Sequence, residues 1–217
     1  MSSQKASKAL VIAARRYNGN ELWTALGTLQ SRGHSFAVAS THLEIVDEIT
    51  GRRNLVQMVV DKISSDVGYS GLMFVSGNRE DTEAYWHMPC VLSIVDTFYQ
   101  AKKPIAAICI SVPTIRKVAK GKRVSYFPLL NSRGLLLGAG ALLQGVSITV
   151  DGNLVTAENQ MCTQVWAEAF CDLLEGKIPD IHLVDSGFVP GKVERKPIPE
   201  LEYLKTVVAT TGRTKIK

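Results

Sequence analysis

The 217-residue chain holds no apolar run of the roughly 18 to 20 residues that a membrane helix needs. Its opening, MSSQKASKALVIAA, lacks a signal-peptide cleavage pattern, and the apolar stretch there is only strand length, so a cytoplasmic protein is expected. The cysteines are few: Cys90, Cys109, Cys162 and Cys171 form no CxxC pair and no zinc-ligand spacing. A disulfide framework and a metal site are therefore not expected. No GxGxxG follows the first apolar run, and AARRYNGNE is a poor phosphate loop, so no nucleotide cofactor is implied. Internal repeats and low-complexity tracts are missing too. The net charge of +5 comes without basic residues interleaved with aromatics, which argues against a nucleic-acid partner. Part of that excess sits beyond residue 176, where a solvated basic tail is the plainer reading than a polyanion site.

What remains is a soluble-type composition, 46% hydrophobic and 21% charged, enough for a full core. Its pattern alternates between two periods. Residues 9–14 (ALVIAA), 71–75 (GLMFV) and 105–108 (IAAI) are continuous apolar runs, as strands buried on both faces should be. Residues 35–40 (SFAVAS) read as a further strand. Between them, residues 21–32 space Leu22, Leu26 and Leu29 as a helix that stops at Gly33. Residues 89–101 place Val91, Leu92, Val95 and Phe98 on one helical face, with Pro89 suited to the first turn. Residues 112–119 read as a short helix. Residues 147–150 and 154–156 flank Asp151-Gly152-Asn153, a hairpin signal, and residues 157–174 read as a closing helix. Residues 44–60, with a turn at Thr50-Gly51, suit a hairpin or an irregular excursion.

The alternation predicts a three-layer α/β/α sandwich with a mostly parallel, flavodoxin-like central sheet over residues 1–176. Residues 177–217, richer in proline and charge, are expected to form a basic extension that packs on the core or serves assembly. In such sheets ligands bind beyond the carboxyl ends of the strands. Three predicted strand ends meet there: the segment after Ala14, the Ser76-Gly77 turn, and Cys109 in KPIAAICISVPTI. A cysteine between a buried strand and a helix sits where α/β folds place nucleophiles, although a free thiol also serves as a small buried hydrophobe.

Four blocks resemble the DJ-1/ThiJ/PfpI superfamily, in order and over about residues 8 to 176: KALVIAARRYNGNELWTALGTLQSRGHSFAVAS, YSGLMFVSGN, VLSIVDTFYQAKKPIAAIC and VSITVDGNLVTAEN. The superfamily holds flavodoxin-like cysteine proteins with chaperone-like, glyoxalase-like and amidase- or protease-like members. The resemblance implies that Cys109 is the nucleophile and Glu21 the acid that approaches its sulfur. It implies that the main-chain N–H groups of Gly77 and Ile110 stabilise an anion, and that the protein is a homodimer or larger homo-oligomer. Fixed N–H dipoles favour a thiolate or oxyanion, whereas an ionised Glu21 would repel one. Glu21 therefore helps as a hydrogen-bond donor only when protonated, a state that burial promotes. As a first-turn acid, Glu21 also has a simpler reading in the helix dipole.

The chain departs from the family pattern at histidine. Where many relatives carry Cys-His-Gly-Pro, this turn reads Cys109-Ile110-Ser111-Val112-Pro113, and LLLGAGALLQGVS before the hairpin holds no histidine either. Among His34, His42, His87 and His182, His87 is the best substitute, although an exposed loop histidine is its plainer reading. Ser111 and Arg53 are accessory candidates, the latter because in some dimeric relatives a basic residue from this region reaches the partner's cysteine site. Tyr85 and Trp86 suit the core or a cleft wall. Three functions compete. One is a cysteine-dependent hydrolase or glyoxalase/lyase-like enzyme acting on a small carbonyl or amide substrate. The second is a redox sensor built on a low-pKa thiolate, in the manner of an oxidative-stress protein. The third is a binding or assembly protein on the retained fold.

Overall fold

Strands without polar alternation need cover on both faces, and the structure supplies it. The computed structural model describes residues 6–64 and 68–179. In chain order the strands are β1 (Lys8–Ala13), β2 (Arg16–Tyr17), β3 (Ser35–Ser40), β4 (Glu44–Asp47), β5 (Arg53–Leu55), β6 (Met58–Val59), β7 (Gly71–Val75), β8 (Ile105–Ile108), β9 (Arg123–Val124), β10 (Leu142–Leu143), β11 (Ile148–Asp151) and β12 (Leu154–Ala157). The helices are α1 (Gly19–Ser31), α2 (Arg79–Tyr85), α3 (Pro89–Gln100), α4 (Leu130–Gly138) and α5 (Thr163–Leu174). The central sheet has seven strands in the order β11-β12-β8-β7-β1-β3-β6. Its pairings are parallel except for the β11–β12 hairpin.

Alternation along the strands sorts the core into two layers. Val11, Met73, Val75, Ala106 and Ile108 meet Leu22, Leu26 and Leu29 of α1 and Trp166 and Phe170 of α5. Leu10, Ile12, Leu72, Phe74, Ile105 and Ala107 meet Val91, Val95 and Phe98 of α3. The α/β/α sandwich read from the sequence is thus present, with the mostly parallel sheet at its centre.

Several boundaries differ, each for a physical reason. Residues 154–157 extend the sheet, Ala157 pairing with Ile108, so the closing helix starts at Thr163 rather than at residue 157. Asn159 caps the intervening turn by accepting from the Met161 N–H. The short helix expected at 112–119 is a 3₁₀ helix that already begins at Cys109 and carries Pro113 inside it. The excursion after β3 is an antiparallel β4–β5 hairpin flanked by β2, and β6 rejoins the main sheet. Helix α4 was not anticipated: it buries only Ser132 and Leu136 and so shows no apolar stripe. Of the expected extension only residues 177–179 are described; the rest, with His182, lies outside the described residues.

Three buried polar side chains tie the strand ends together on the site's side. The Tyr85 hydroxyl donates to the Ala13 carbonyl at 2.7 Å, and Trp86 Nε1 donates to the Ile110 carbonyl at 2.9 Å. Ser111 Oγ accepts from the Ile108 N–H at 3.0 Å and lies 2.6 Å from the Ile108 carbonyl oxygen and 3.0 Å from that of Phe74. Its hydroxyl thereby locks the turn after β8. Ser111→Ala removes the acceptor that Ile108 uses, and urea unfolding should show a loss of about 1–3 kcal/mol. A loss under roughly 0.5 kcal/mol, the range of a neutral surface change, would contradict this role.

Candidate active site

Cys109 and Glu21, far apart in sequence, come near enough for the Glu21 charge to act on the thiol because strand ends and a helix start converge. Cys109 follows β8 and adopts φ of +57°, a left-handed conformation that side chains other than glycine seldom take. Its consequence is directional. A regular strand would send residue 109 to the face of Ala107, toward α3. Cys109 instead packs with the layer of Ile108 and α1. Strain held at a strand end marks many catalytic positions.

Glu21 comes from the first turn of α1. Asn18 caps this helix, its side chain accepting from the Glu21 N–H at 3.1 Å. The Asn18-Gly19-Asn20-Glu21 order has the spacing of a capping box. Here, though, the glutamate does not fold back on its own helix. It is wholly buried, and its Oε2 accepts from both the Ser76 N–H at 2.8 Å and the Ser76 hydroxyl at 2.7 Å. Oε1 has no hydrogen-bond partner among the described residues. Burial opposes the carboxylate, and the nearby Glu48 adds repulsion. Together they outweigh the two Ser76 bonds and push the Glu21 pKa up to about 7.

The same surroundings act on the sulfur. Burial, then the neighbouring Glu21 charge, push the Cys109 thiol up to about 12, against stabilising contacts from the Ser76 hydroxyl and the Ile110 N–H. The resting pair above neutral pH is therefore a thiol beside a carboxylate. Such a pair attacks an electrophile when the carboxylate takes the thiol proton during bond formation, which is general-base assistance from a group with its pKa close to neutrality.

The other expected residues fall as follows. Ile110 offers its N–H to the sulfur. The Gly77 N–H is directed to Thr82 Oγ1 at 3.1 Å. Glycine is required at this position for another reason: a Cβ would collide with the Arg16 carbonyl and come within 2.5 Å of Tyr17 Cα, across the bridge that joins Tyr17 to Gly77. Ser111 uses its hydroxyl on the backbone, as described above. His87 is exposed just past α2, and its ring makes no hydrogen bond to Cys109 or Glu21. Arg53 is exposed and pairs with Glu44 at 2.9 Å on the β4–β5 hairpin. Tyr85 and Trp86 are core residues, both 1% exposed.

Sequence reasoning missed the hydroxyl of Ser76 and the carboxyl of Glu48. The sequence shows Ser76-Gly77 only as a turn, and the resemblance points there to the Gly77 main-chain N–H rather than to the Ser76 side chain. Glu48 lies past β4, its N–H bonded to the Tyr17 carbonyl at 3.0 Å. Its pKa is raised by burial first and by Asp47 next, against a hydrogen bond from Asn18. Asn18 Nδ2 also donates to Gln160 Oε1 at 2.8 Å.

A carboxyl held above its ordinary 4.5 in the fold binds a proton that the unfolded chain has lost. Its contribution therefore makes stability fall as pH rises from about 4.5 to about 7, after which the whole penalty is present. Glu21→Gln mimics the protonated form and escapes this penalty. Urea unfolding should find the variant more stable than the parent by on the order of 3 kcal/mol at pH 8 and nearly equal to it at pH 4.5. A difference that does not change with pH would contradict the buried-carboxyl account.

The chain is similar to an uncharacterized protein of Methanocaldococcus jannaschii, 26% identical over 158 residues that cover 72% of this chain and 76% of the relative. Among solved structures, a ThiJ/PfpI domain protein from Brachyspira murdochii superposes with a TM-score of 0.72 at 18% identity, covering 79% of this chain and 98% of the other. DJ-1beta of Drosophila melanogaster superposes with a TM-score of 0.69 at 18% identity, covering 97% and 100%. At those identities the superpositions establish the fold. The family profile reaches further, matching residues 7–172, which include every strand end that builds the site, and on that match the chain belongs to the DJ-1/PfpI family.

Proposed function

We propose that the protein is a cysteine-dependent enzyme of the hydrolase or glyoxalase/lyase-like kind, acting on a small carbonyl or amide compound. Cys109 is the nucleophile, Glu21 accepts and returns its proton, and the Ile110 N–H steadies the charge that builds at the site. The observation that carries this reading is the combination of Cys109 at φ +57° with a buried carboxyl whose Oε1 has no hydrogen-bond partner among the described residues. A purely structural cysteine needs neither the strained turn nor an acid beside it.

The raised thiol also weighs between the competing readings. A sensor of peroxide relies on a standing thiolate, and both burial and Glu21 oppose that form at Cys109. An enzyme tolerates a resting thiol, provided a base is present to take the proton during attack. Glu21 fills the place left by the family histidine, and the exposure of His87 favours that assignment. Cys109 is half-buried just past the end of β8, which favours a small electrophile over a bulky one.

Methylglyoxal and a panel of small primary amides and esters should reveal turnover at pH 7–8 that is lost in Cys109→Ser by about 10³-fold or more. Turnover that survives this substitution would overturn the assignment of the nucleophile.

A further inference from the structure

Three strand ends stand side by side at the site, because the central sheet runs β12-β8-β7 at this point. Cys109 directly follows the middle strand, β8, and packs half-buried in the layer of α1 and α5. The two outer ends are linked to each other through side chains. Past β7, the Ser76 carbonyl accepts from the Asn18 N–H at 2.9 Å. Past β12, the chain runs through Asn159 into the 3₁₀ turn Gln160–Cys162. Asn18 Nδ2 donates to Gln160 Oε1 at 2.8 Å, and Asn20 Nδ2 donates to the Gln160 carbonyl at 3.2 Å. Both ends of this link are fixed. Asn18 Oδ1 caps α1 by accepting from the Glu21 N–H at 3.1 Å. The Gln160 carbonyl also accepts from Thr163 Oγ1 at 2.6 Å, and Asn159 Oδ1 accepts from the Met161 N–H at 2.9 Å. Packing of α1 with α5 does not need the link, since Leu22, Leu26, Leu29, Trp166 and Phe170 already hold both helices in one layer. Gln160 is exposed, so water competes for its bonds and they add little to the stability of the core.

We propose that Asn18 and Gln160 form a specificity-determining clip, an amide bar that runs from the end of β7 to the end of β12 past Cys109 and limits the size of the electrophile that reaches its sulfur. The proposal rests on the reading of Cys109 as a nucleophile and deepens it by naming what selects the substrate. With the clip closed, a compact carbonyl compound or amide passes beside it. One with a bulky group on the carbon that Cys109 attacks enters only when the Asn18–Gln160 bond opens. Opening costs little at an exposed amide pair, because water replaces each lost partner. The clip acts on access alone and takes no part in bond formation or proton transfer. It therefore shifts the rates of large reagents relative to small ones.

Two reagents with the same reactive group and different bulk, iodoacetamide and fluorescein iodoacetamide, are compared on the full chain at one pH. Peptide mass spectrometry gives the rate of each at Cys109, with Cys90 on α3 as the internal reference. The ratio of the large to the small reagent's rate cancels any change in the thiol itself. Gln160→Ala removes one partner of the clip, and Asn18→Ser removes the other while keeping an oxygen that caps α1. Each should raise the ratio at Cys109 by about fivefold, the factor that one net hydrogen bond allows, with the ratio at Cys90 unchanged. The double variant should match the single ones, since all three remove the same interaction. A ratio that Gln160→Ala does not move would overturn the clip. So would a ratio that moves only in Asn18→Ser, because that change would trace to the α1 cap. A Cys109 that neither reagent modifies in any of these proteins would overturn it as well. If Asn18→Ser does not fold, Gln160→Ala alone decides. Turnover that survives Cys109→Ser while the ratio still shifts would remove the nucleophile and leave the clip as a guard of the thiol.

Discussion

Everything at this site depends on one carboxyl kept out of water. The helix dipole at the start of α1 and two hydrogen bonds from Ser76 all favour an ionised Glu21. At exposed helix ends the dipole contributes about 0.3–1 kcal/mol. Burial is the larger effect and reverses the balance, leaving Glu21 to titrate near neutrality. A carboxylic acid of ordinary pKa would be too weak a base to draw a proton from a thiol. Denying the carboxylate solvent raises its pKa to the range the proposed base needs, at some expense in stability above pH 7.

The sheet makes that possible. Its two central strands end in register, so the residues after β7 and β8 stand side by side, and α1 packs across the same layer. The left-handed turn at Cys109 then redirects the sulfur from the α3 layer to the α1 layer, where Glu21 is buried. Ser111 and Trp86 hold the turn from below through the Ile108 and Ile110 backbone. Arg116 adds a further bond to the Trp86 carbonyl. The proposed chemistry thus rests on few side chains, and the neighbouring polar groups fix the backbone around them.

Much of this was legible in the sequence, for reasons that can be named. The runs at 35–40, 71–75 and 105–108 match β3, β7 and β8 residue for residue, because strands covered on both faces leave little room for polar interruption. The position of Cys109 at a strand end followed from the same runs. Its left-handed backbone did not, since nothing in CISVP specifies a positive φ at a non-glycine residue. The role of Ser76 was hidden for a related reason: the partner of a serine hydroxyl depends on strand register, which local sequence does not set. Glu48 comes from the β4–β5 excursion, whose short strands gave only a turn signal at Thr50-Gly51. The family match sharpened the expectations for Cys109, Glu21, Gly77 and Ile110, whereas the histidine sought at position 87 lies on the surface.

The central claim is that Glu21 keeps its proton until close to neutral pH and then becomes the base for Cys109. Its most direct test is the carboxyl titration itself, followed by isotope-edited infrared spectroscopy on the intact protein and assigned by subtracting Glu21→Gln. The account predicts a protonated carboxyl band that persists at pH 6 and gives way to carboxylate around pH 7. A band that disappears near the ordinary value of 4.5 would contradict it.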